Sequence, residues 1–200
     1  MRGPPSVAMI EAVGIIELTS IGIGIVAQDA MLKAGDVRVL LARTLCSGKY
    51  IVAVTGKVAE VTAAVDKGVA AIPAGLIDHC VIPKIHLAVF KALGQAVELH
   101  VPVSDAGDRM TPKALGVVET FSGASVLEAA DVAAKAAQVT LIRLHLAMAL
   151  GGKGYVMMTG SVMDVQAAVD AAAEIVRKKG LLVSAVTIPG PSRELLAEYL

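Results

Sequence analysis

The apolar positions of this chain fall in short runs whose period keeps changing. Ala12–Leu18 is an apolar run followed by Thr19 and Ser20, which predicts a strand and then a helix N-cap. Ile21–Ala34 reads as the helix, with Gly22 and Gly24 weakening its first turn. Val37–Leu45 and Tyr50–Thr55 read as two strands of a hairpin around a tight loop through Ser47 and Gly48. Lys57–Ala71 reads as a second helix. Its counterpart in the second half shows the period better: Val162, Val165, Val169, Ala172, Ala173 and Val176 share one face. Ser161, with Asp164 three residues on, resembles a capping box in which Asp replaces the usual Glu or Gln. Gly180 ends that helix, Leu181–Ile188 is the last strand, and Pro83 and Pro189 stop the last strand of each half. Ile85–Leu93 and Arg193–Leu200 read as short C-terminal helices. The order β-α-β-β-α-β is the split βαβ arrangement, an α/β (α+β) fold with a four-stranded sheet and helices in each copy.

The pattern occurs twice. Ala12-Val-Gly-Ile-Ile-Glu17 returns as Ala114-Leu-Gly-Val-Val-Glu119, and Asp29-Ala-Met-Leu-Lys33 as Asp131-Val-Ala-Ala-Lys135. Thr55-Gly56 returns as Thr159-Gly160, Ala63-Ala-Val-Asp66 as Ala167-Ala-Val-Asp170, and Ile82-Pro83 as Ile188-Pro189. Two copies are too few for a solenoid, so a tandem pair of homologous domains is expected. The first spans 12–100 and the second 114–200. They are joined by the turn-rich linker 101–113, V-P-V-S-D-A-G-D-R-M-T-P-K.

Composition narrows the class. Hydrophobic residues make up 56% of the chain and mean hydropathy is +0.71, yet charged residues interrupt every apolar run. None reaches the roughly 18–20 residues of a membrane span. The excess is aliphatic, which points to surface buried against other chains. Formal net charge is zero, and no basic patch suggests nucleic acid or a membrane surface. Met1–Ile10 lacks the apolar core of a secretory signal, and two cysteines do not make a disulfide framework, so a cytoplasmic setting is expected.

Candidate chemistry is sparse. Two loops end in Gly-Lys and feed an apolar strand: Cys46-Ser47-Gly48-Lys49 and Gly151-Gly152-Lys153. A phosphate loop needs Gly five positions before the Gly-Lys pair and Ser or Thr after it. Those places hold Ala147 and Gly154 in one loop and Arg43 and Tyr50 in the other. His79, His86, His100 and His145 show no ligand spacing, and His145 alternates with Arg143 on one side of a strand, which suits a surface or interface role. Asp105 and Asp108 lack a calcium-loop pattern. Asp29/Lys33 and Asp131/Lys135 have the spacing of helix ion pairs. Cys80 reads as a buried strand residue. No nucleophile, base and orienting group converge, so no enzyme activity is expected.

Each repeat as a whole resembles a bacterial microcompartment shell domain. The likeness covers nearly all of Ala12–Ile188 and rests on G-I-I-E-L-T-S from Gly14, D-A-M-L-K-A-G-D-V from Asp29, and the Gly-Lys loops. The tandem form is similar to the trimeric double-domain members. T-L-C-S-G-K from Thr44 and L-I-R-L-H-L-A-M-A-L-G-G-K from Leu141 resemble the iron–sulfur subfamily of propanediol-utilisation compartments. The resemblance implies a homotrimer forming a pseudohexameric tile with a central pore, packed with other shell proteins in the microcompartment shell. It implies that Cys46 of three chains holds a [4Fe–4S] cluster in a pore lined by Ser47, Gly48, Lys49, Gly151, Gly152 and Lys153. Lys33 and Lys135 match the family's tile-edge lysine. One departure stands out: many relatives carry a basic residue between two prolines after the last strand, whereas here Gly190 lies between Pro189 and Pro191. In the first repeat the same place reads Pro83-Lys84-Ile85-His86.

Three functions remain open from the sequence. The first is a structural tile whose cluster passes electrons across the shell to an encapsulated or cytosolic redox protein. The second is a tile whose small-molecule pore is lined by a free Cys46 thiol. The third is a duplicated sensor that binds a small ligand between its domains.

Overall fold

The computed structural model describes residues 10–72, 74–94, 113–146, 150–193 and 195. The first repeat runs β1 (Ala12–Leu18), α1 (Ile21–Ala34), β2 (Arg38–Thr44), β3 (Tyr50–Gly56), α2 (Val58–Ala70) and β4 (Leu76–Pro83). Helix α3 (Leu87–Gly94) follows it. The second repeat runs β5 (Ala114–Thr120), α4 (Gly123–Ala136), β6 (Val139–His145), β7 (Gly154–Gly160), α5 (Val162–Lys178) and β8 (Leu182–Pro189). The expected linker, apart from Lys113, and most of the expected Arg193–Leu200 helix lie outside the described residues, as do His100, Asp105, Asp108 and Ala147.

Each repeat forms a four-stranded sheet, in the orders β2-β3-β1-β4 and β6-β7-β5-β8. β1 and β2 both run antiparallel to β3, which separates them; this is the split arrangement the sequence predicts. The repeated residues now have causes. A Cβ on Gly14 would come within 2.5 Å of Val65, and one on Gly116 within 2.8 Å of Val165 and Val169, so each first strand is shaved to admit a helix. The hydroxyls of Thr55 and Thr159 donate to the carbonyls of Ala12 and Ala114, at 3.0 and 2.8 Å. Lys84 and Gly190 occupy equivalent left-handed positions (φ 48° and 57°), so a glycine after Pro189 suits the backbone there.

Within each repeat the two helices pack on one another and on one face of their own sheet. Ile16, Leu18, Ala27, Met31, Val52, Val54, Ala64 and Val65 fill that layer in the first repeat. The opposite face of the same sheet is not left to solvent. Val13, Ile15, Ile51, Ala53, Cys80 and Ile82 merge into one core with Ala124, Val126, Ala130 and Ala133 of α4. Helix α4 therefore lies between two sheets, and α3 crosses from the first repeat to pack on β6 and α4. A core fills the boundary between domains, which is where the sensor reading needs a ligand space.

The corresponding face of the second sheet carries Leu115, Val117, Tyr155, Met157 and Ile188. It forms an open groove of about 390 Å³ that Leu150 and Leu195 help to line.

Two local expectations change. Val162 is 43% exposed, and Ala168 takes its place on the buried face of α5. Ser20 is the N-cap residue of α1, but its side chain makes no capping hydrogen bond, whereas Ser161 and Ser122 accept the amides of Asp164 and Ser125.

The two glycines that weaken the predicted start of α1 have different roles. A Cβ on Gly24 would fall 2.3 Å from the Tyr50 ring, while nothing lies within 4 Å of the same position at Gly22. Gly24→Ala is expected to cost about 1–3 kcal/mol through overpacking, and Gly22→Ala to gain up to about 1 kcal/mol through helix propensity. Urea denaturation of the two variants checks the opposite signs.

Candidate functional site

The two Gly-Lys loops of one chain meet. Lys49 Nζ donates to the Gly152 carbonyl at 3.3 Å and the Phe121 carbonyl at 3.5 Å, and pairs with Glu17 Oε1 at 3.1 Å. Backbone geometry makes the loops tight: Ser47 (φ 64°) and Gly48 (φ 73°) are both left-handed, as are Gly151 (φ 61°) and Gly152 (φ 86°). The sequence offers Gly48 for this turn, but Ser47 shares it, in a conformation that is uncommon for a side chain to hold. Cys46 opens the first turn and is partly exposed. The ammonium of Lys49, three residues on, is committed to Glu17.

Cys80 is a different kind of cysteine. It is buried on β4, with Sγ 3.9 Å from the Ala124 carbonyl. Burial, and then the Glu128 carboxylate, push its thiol well above the usual cysteine range, so it stays protonated. Among the described residues of one chain, no cluster of three or more His, Cys, Asp or Glu side chains is placed to hold a metal ion.

Glu17 is fully buried. Its Oε2 accepts hydrogen bonds from the amides of Gly123 (2.6 Å) and Ala124 (3.2 Å) and from the Ser122 hydroxyl (3.0 Å). A strand carboxylate of the first domain thus caps the first turn of α4 in the second, where unpaired amides and the helix dipole favour an anion. Asp78, paired with Glu17 across β1 and β4, extends the joint. It accepts the Ser125 hydroxyl (2.5 Å), shares the single hydroxyl proton of Ser122 (2.8 Å) with Glu17, and pairs with Lys179 (3.3 Å). Lys179 also holds Glu128 at 2.6 Å. Burial works against the charged form of Lys179, but its bonds to Glu128 and Asp78 outweigh that and hold its pKa above the ordinary lysine value.

None of these joint residues was singled out from the sequence as functional. A signal was present: one acid recurs at the end of an apolar strand in both repeats, as Glu17 and Glu119.

The two expected edge lysines make the predicted helix pairs, Lys33 with Asp29 and Lys135 with Asp131, both at 2.6 Å. Lys135 also donates to the Pro83 carbonyl at 3.2 Å, across the joint. Each lysine borders a shallow groove beside its helix, of about 430 Å³ at Lys33 and 520 Å³ at Lys135. Met163, in the second groove, is 84% exposed. His145 stacks on Tyr155 across the second hairpin, with ring centroids 5.2 Å apart.

Residues 12–85 and 114–191 each match the BMC domain. The chain is 40% identical over 187 residues to the bacterial microcompartment shell protein PduT of Citrobacter freundii, covering 94% of this chain and 96% of that one. One repeat's length is 37% identical over 83 residues to the shell protein EutM of Salmonella typhimurium, covering 42% of this chain and 84% of that one. Among solved structures, a microcompartment protein from Desulfitobacterium hafniense DCB aligns with a TM-score of 0.76 at 39% identity. That alignment covers 94% of this chain and 99% of that one.

Glu17→Gln keeps the shape of the cap and removes its charge, leaving Lys49 with a buried amide. The expected loss is about 3 kcal/mol, as for breaking one side of a buried ion pair. Urea denaturation measures it; a loss below about 0.5 kcal/mol would assign the joint's strength to its apolar contacts alone.

Proposed function

The chain belongs to the BMC-domain family of bacterial microcompartment shell proteins, and from that footing we propose that it works as a closed ring of three copies whose pore carries a [4Fe–4S] cluster. Its place in the shell is structural and it is not an enzyme. No helix among the described residues is long and apolar enough to cross a membrane.

The observation that carries the ring is the difference between the two repeats. Inside one chain, the back of the first sheet is covered by α4. The back of the second sheet is an open apolar groove, and the helix equivalent to α4, α1, turns Ile21, Ile25 and Val26 outward at 43, 55 and 53% exposure. These two surfaces are the two halves of the joint already made once within the chain. A head-to-tail contact that repeats it covers both, and closure after three chains leaves no open end.

In such a ring the Gly-Lys loops, which meet at every joint, surround the axis. Three copies of Cys46 then stand where one chain supplies a single thiol; the loop of the second repeat has none. A [4Fe–4S] cluster normally takes four thiolates, so three Cys46 would hold it, with water, a small ligand or a partner on the fourth iron. Cys80 does not compete, because it is buried and protonated. When bound, such a cluster supplies one-electron transfer, in this place between the two sides of the shell, for an encapsulated or cytosolic redox protein. Lys33 and Lys135, beside their grooves, are proposed as contacts between tiles and with other shell proteins.

Light scattering is expected to give the mass of three chains, and a stable monomer would remove the ring. Anaerobic reconstitution should give a brown chromophore and bound iron in wild type and in Cys80→Ser, and neither in Cys46→Ser. Equal iron without Cys46 would leave it a thiol lining a small-molecule pore. For the edge, Lys33→Ala removes an exposed helix pair that is itself worth only about 0.3–0.5 kcal/mol. Trimers should persist while sheets seen by electron microscopy weaken; unchanged sheets would leave Lys33 with its helix pair alone.

A further inference from the structure

The structure assigns a specific partner to Glu119: we infer that its carboxylate caps helix α1 of the next copy of this chain, as Glu17 caps α4 within one copy. The inference rests on the ring proposed above and names the contact that closes it. Glu17 and Glu119 are equivalent by register. Glu17 pairs with Ile51 and Asp78, and Glu119 with Tyr155 and Ser184, at matching places in the two sheets. Each is followed by the same irregularity, between Glu17 and Leu18 and between Glu119 and Thr120. Each binds the lysine of its own Gly-Lys loop through Oε1, at 3.1 Å for Lys49 and 3.0 Å for Lys153.

The difference lies in Oε2. In Glu17 it receives two α4 amides and the Ser122 hydroxyl. In Glu119 it takes only the Ser184 hydroxyl, at 3.2 Å, among the described contacts, and the side chain is 28% exposed. The complementary group is present on the same molecule, at its other end. Ser20 holds the N-cap position of α1 as Ser122 does for α4, and its carbonyl accepts the Gly24 amide to start the helix. Yet the Ser20 side chain makes no capping bond and the first turn contains no acid. The amides of Ile21 and Gly22 correspond to the capped amides of Gly123 and Ala124, and no bond within a helix can satisfy them.

A second copy therefore completes both groups at once. The charge complement is specific: an anion at the positive end of a helix dipole, oriented by a lysine behind it. Apolar residues flank it, with Ile21 and Ile25 on the helix and Leu115 and Val117 on the sheet. By the same equivalence, Lys153 takes the carbonyls of Gly48 and Thr19 of the neighbour, as Lys49 takes those of Gly152 and Phe121 in its own chain. Each Cys46 loop is then gripped from both sides, once by its own chain and once by the next.

The test compares wild type, Glu119→Gln, Ser20→Ala and the double variant by sedimentation over a range of concentrations. Amide hydrogen exchange at Ile21 and Gly22 is followed in parallel. Wild type is expected to be trimeric, and Glu119→Gln to dissociate at about tenfold higher concentration, which for a monomer–trimer equilibrium is about a hundredfold in the dissociation constant. The double variant should be no weaker than Glu119→Gln within about twofold, because both changes remove one contact. Exchange at Ile21 and Gly22 should slow at least about tenfold on trimerisation of wild type and not in Glu119→Gln trimers. Equal dissociation of wild-type and Glu119→Gln trimers, or amides that exchange in the trimer as fast as in the monomer, would overturn the cap and leave the ring standing. A monomeric wild type would overturn the ring, and the cap with it. Should Glu119→Gln misfold, Ser20→Ala and the wild-type exchange data decide alone.

Discussion

A carboxylate buried at the end of a strand holds the two halves of this protein together. Glu17 has no exposure to water, which would be costly for an isolated charge. It is tolerated because every direction from it holds a donor: an ammonium, a hydroxyl and two helix amides. Those donors come from the Gly-Lys loop of its own domain and from the other domain. The charge is therefore satisfied only when the domains are docked in one orientation. Apolar contact between a sheet and an alanine-rich helix would permit sliding; a carboxylate set on two particular amides does not.

The same joint explains why two copies of one fold have diverged in composition. Helix α4 is packed on two sides and carries Ala124, Ala129, Ala130 and Ala133 where a sheet approaches on each. Helix α1 keeps larger residues on its outer side: Ile21, Ile25, Val26 and Leu32. An amphipathic surface helix would be polar there. Part of the chain's excess hydropathy thus lies exposed on α1 and is matched by the apolar groove on the second sheet, a pairing that suits a subunit better than a monomer.

Glycine and lysine in the Gly-Lys loops divide their work. The left-handed turns bring the backbone carbonyl of Gly152 within reach of Lys49, and a side chain at Gly152 would meet that lysine at 2.9 Å. The lysine therefore serves the joint first, binding Glu17 and two carbonyls.

Most of the secondary structure was legible in the sequence because the signals are local. Strand and helix period act over a few residues and recur in both halves; the capping pair Ser161–Asp164 and the stop at Gly180 are as local, but belong to the second half. The internal repeat added topology, and the family resemblance added the shell. What the sequence did not disclose is where buried polar groups find partners. Glu17 looked like a strand residue at the edge of an apolar run, and its ligands lie more than a hundred residues away, on α4. Ser20 read as a cap and Ser122 holds the equivalent place, yet within one chain only Ser122 is engaged, because α4 has a sheet against its first turn. By itself the sequence determined two similar domains, their elements and the single cysteine loop. The tertiary structure alone decided which faces of those domains are already paired and which are not, since that depends on distances between residues far apart along the chain.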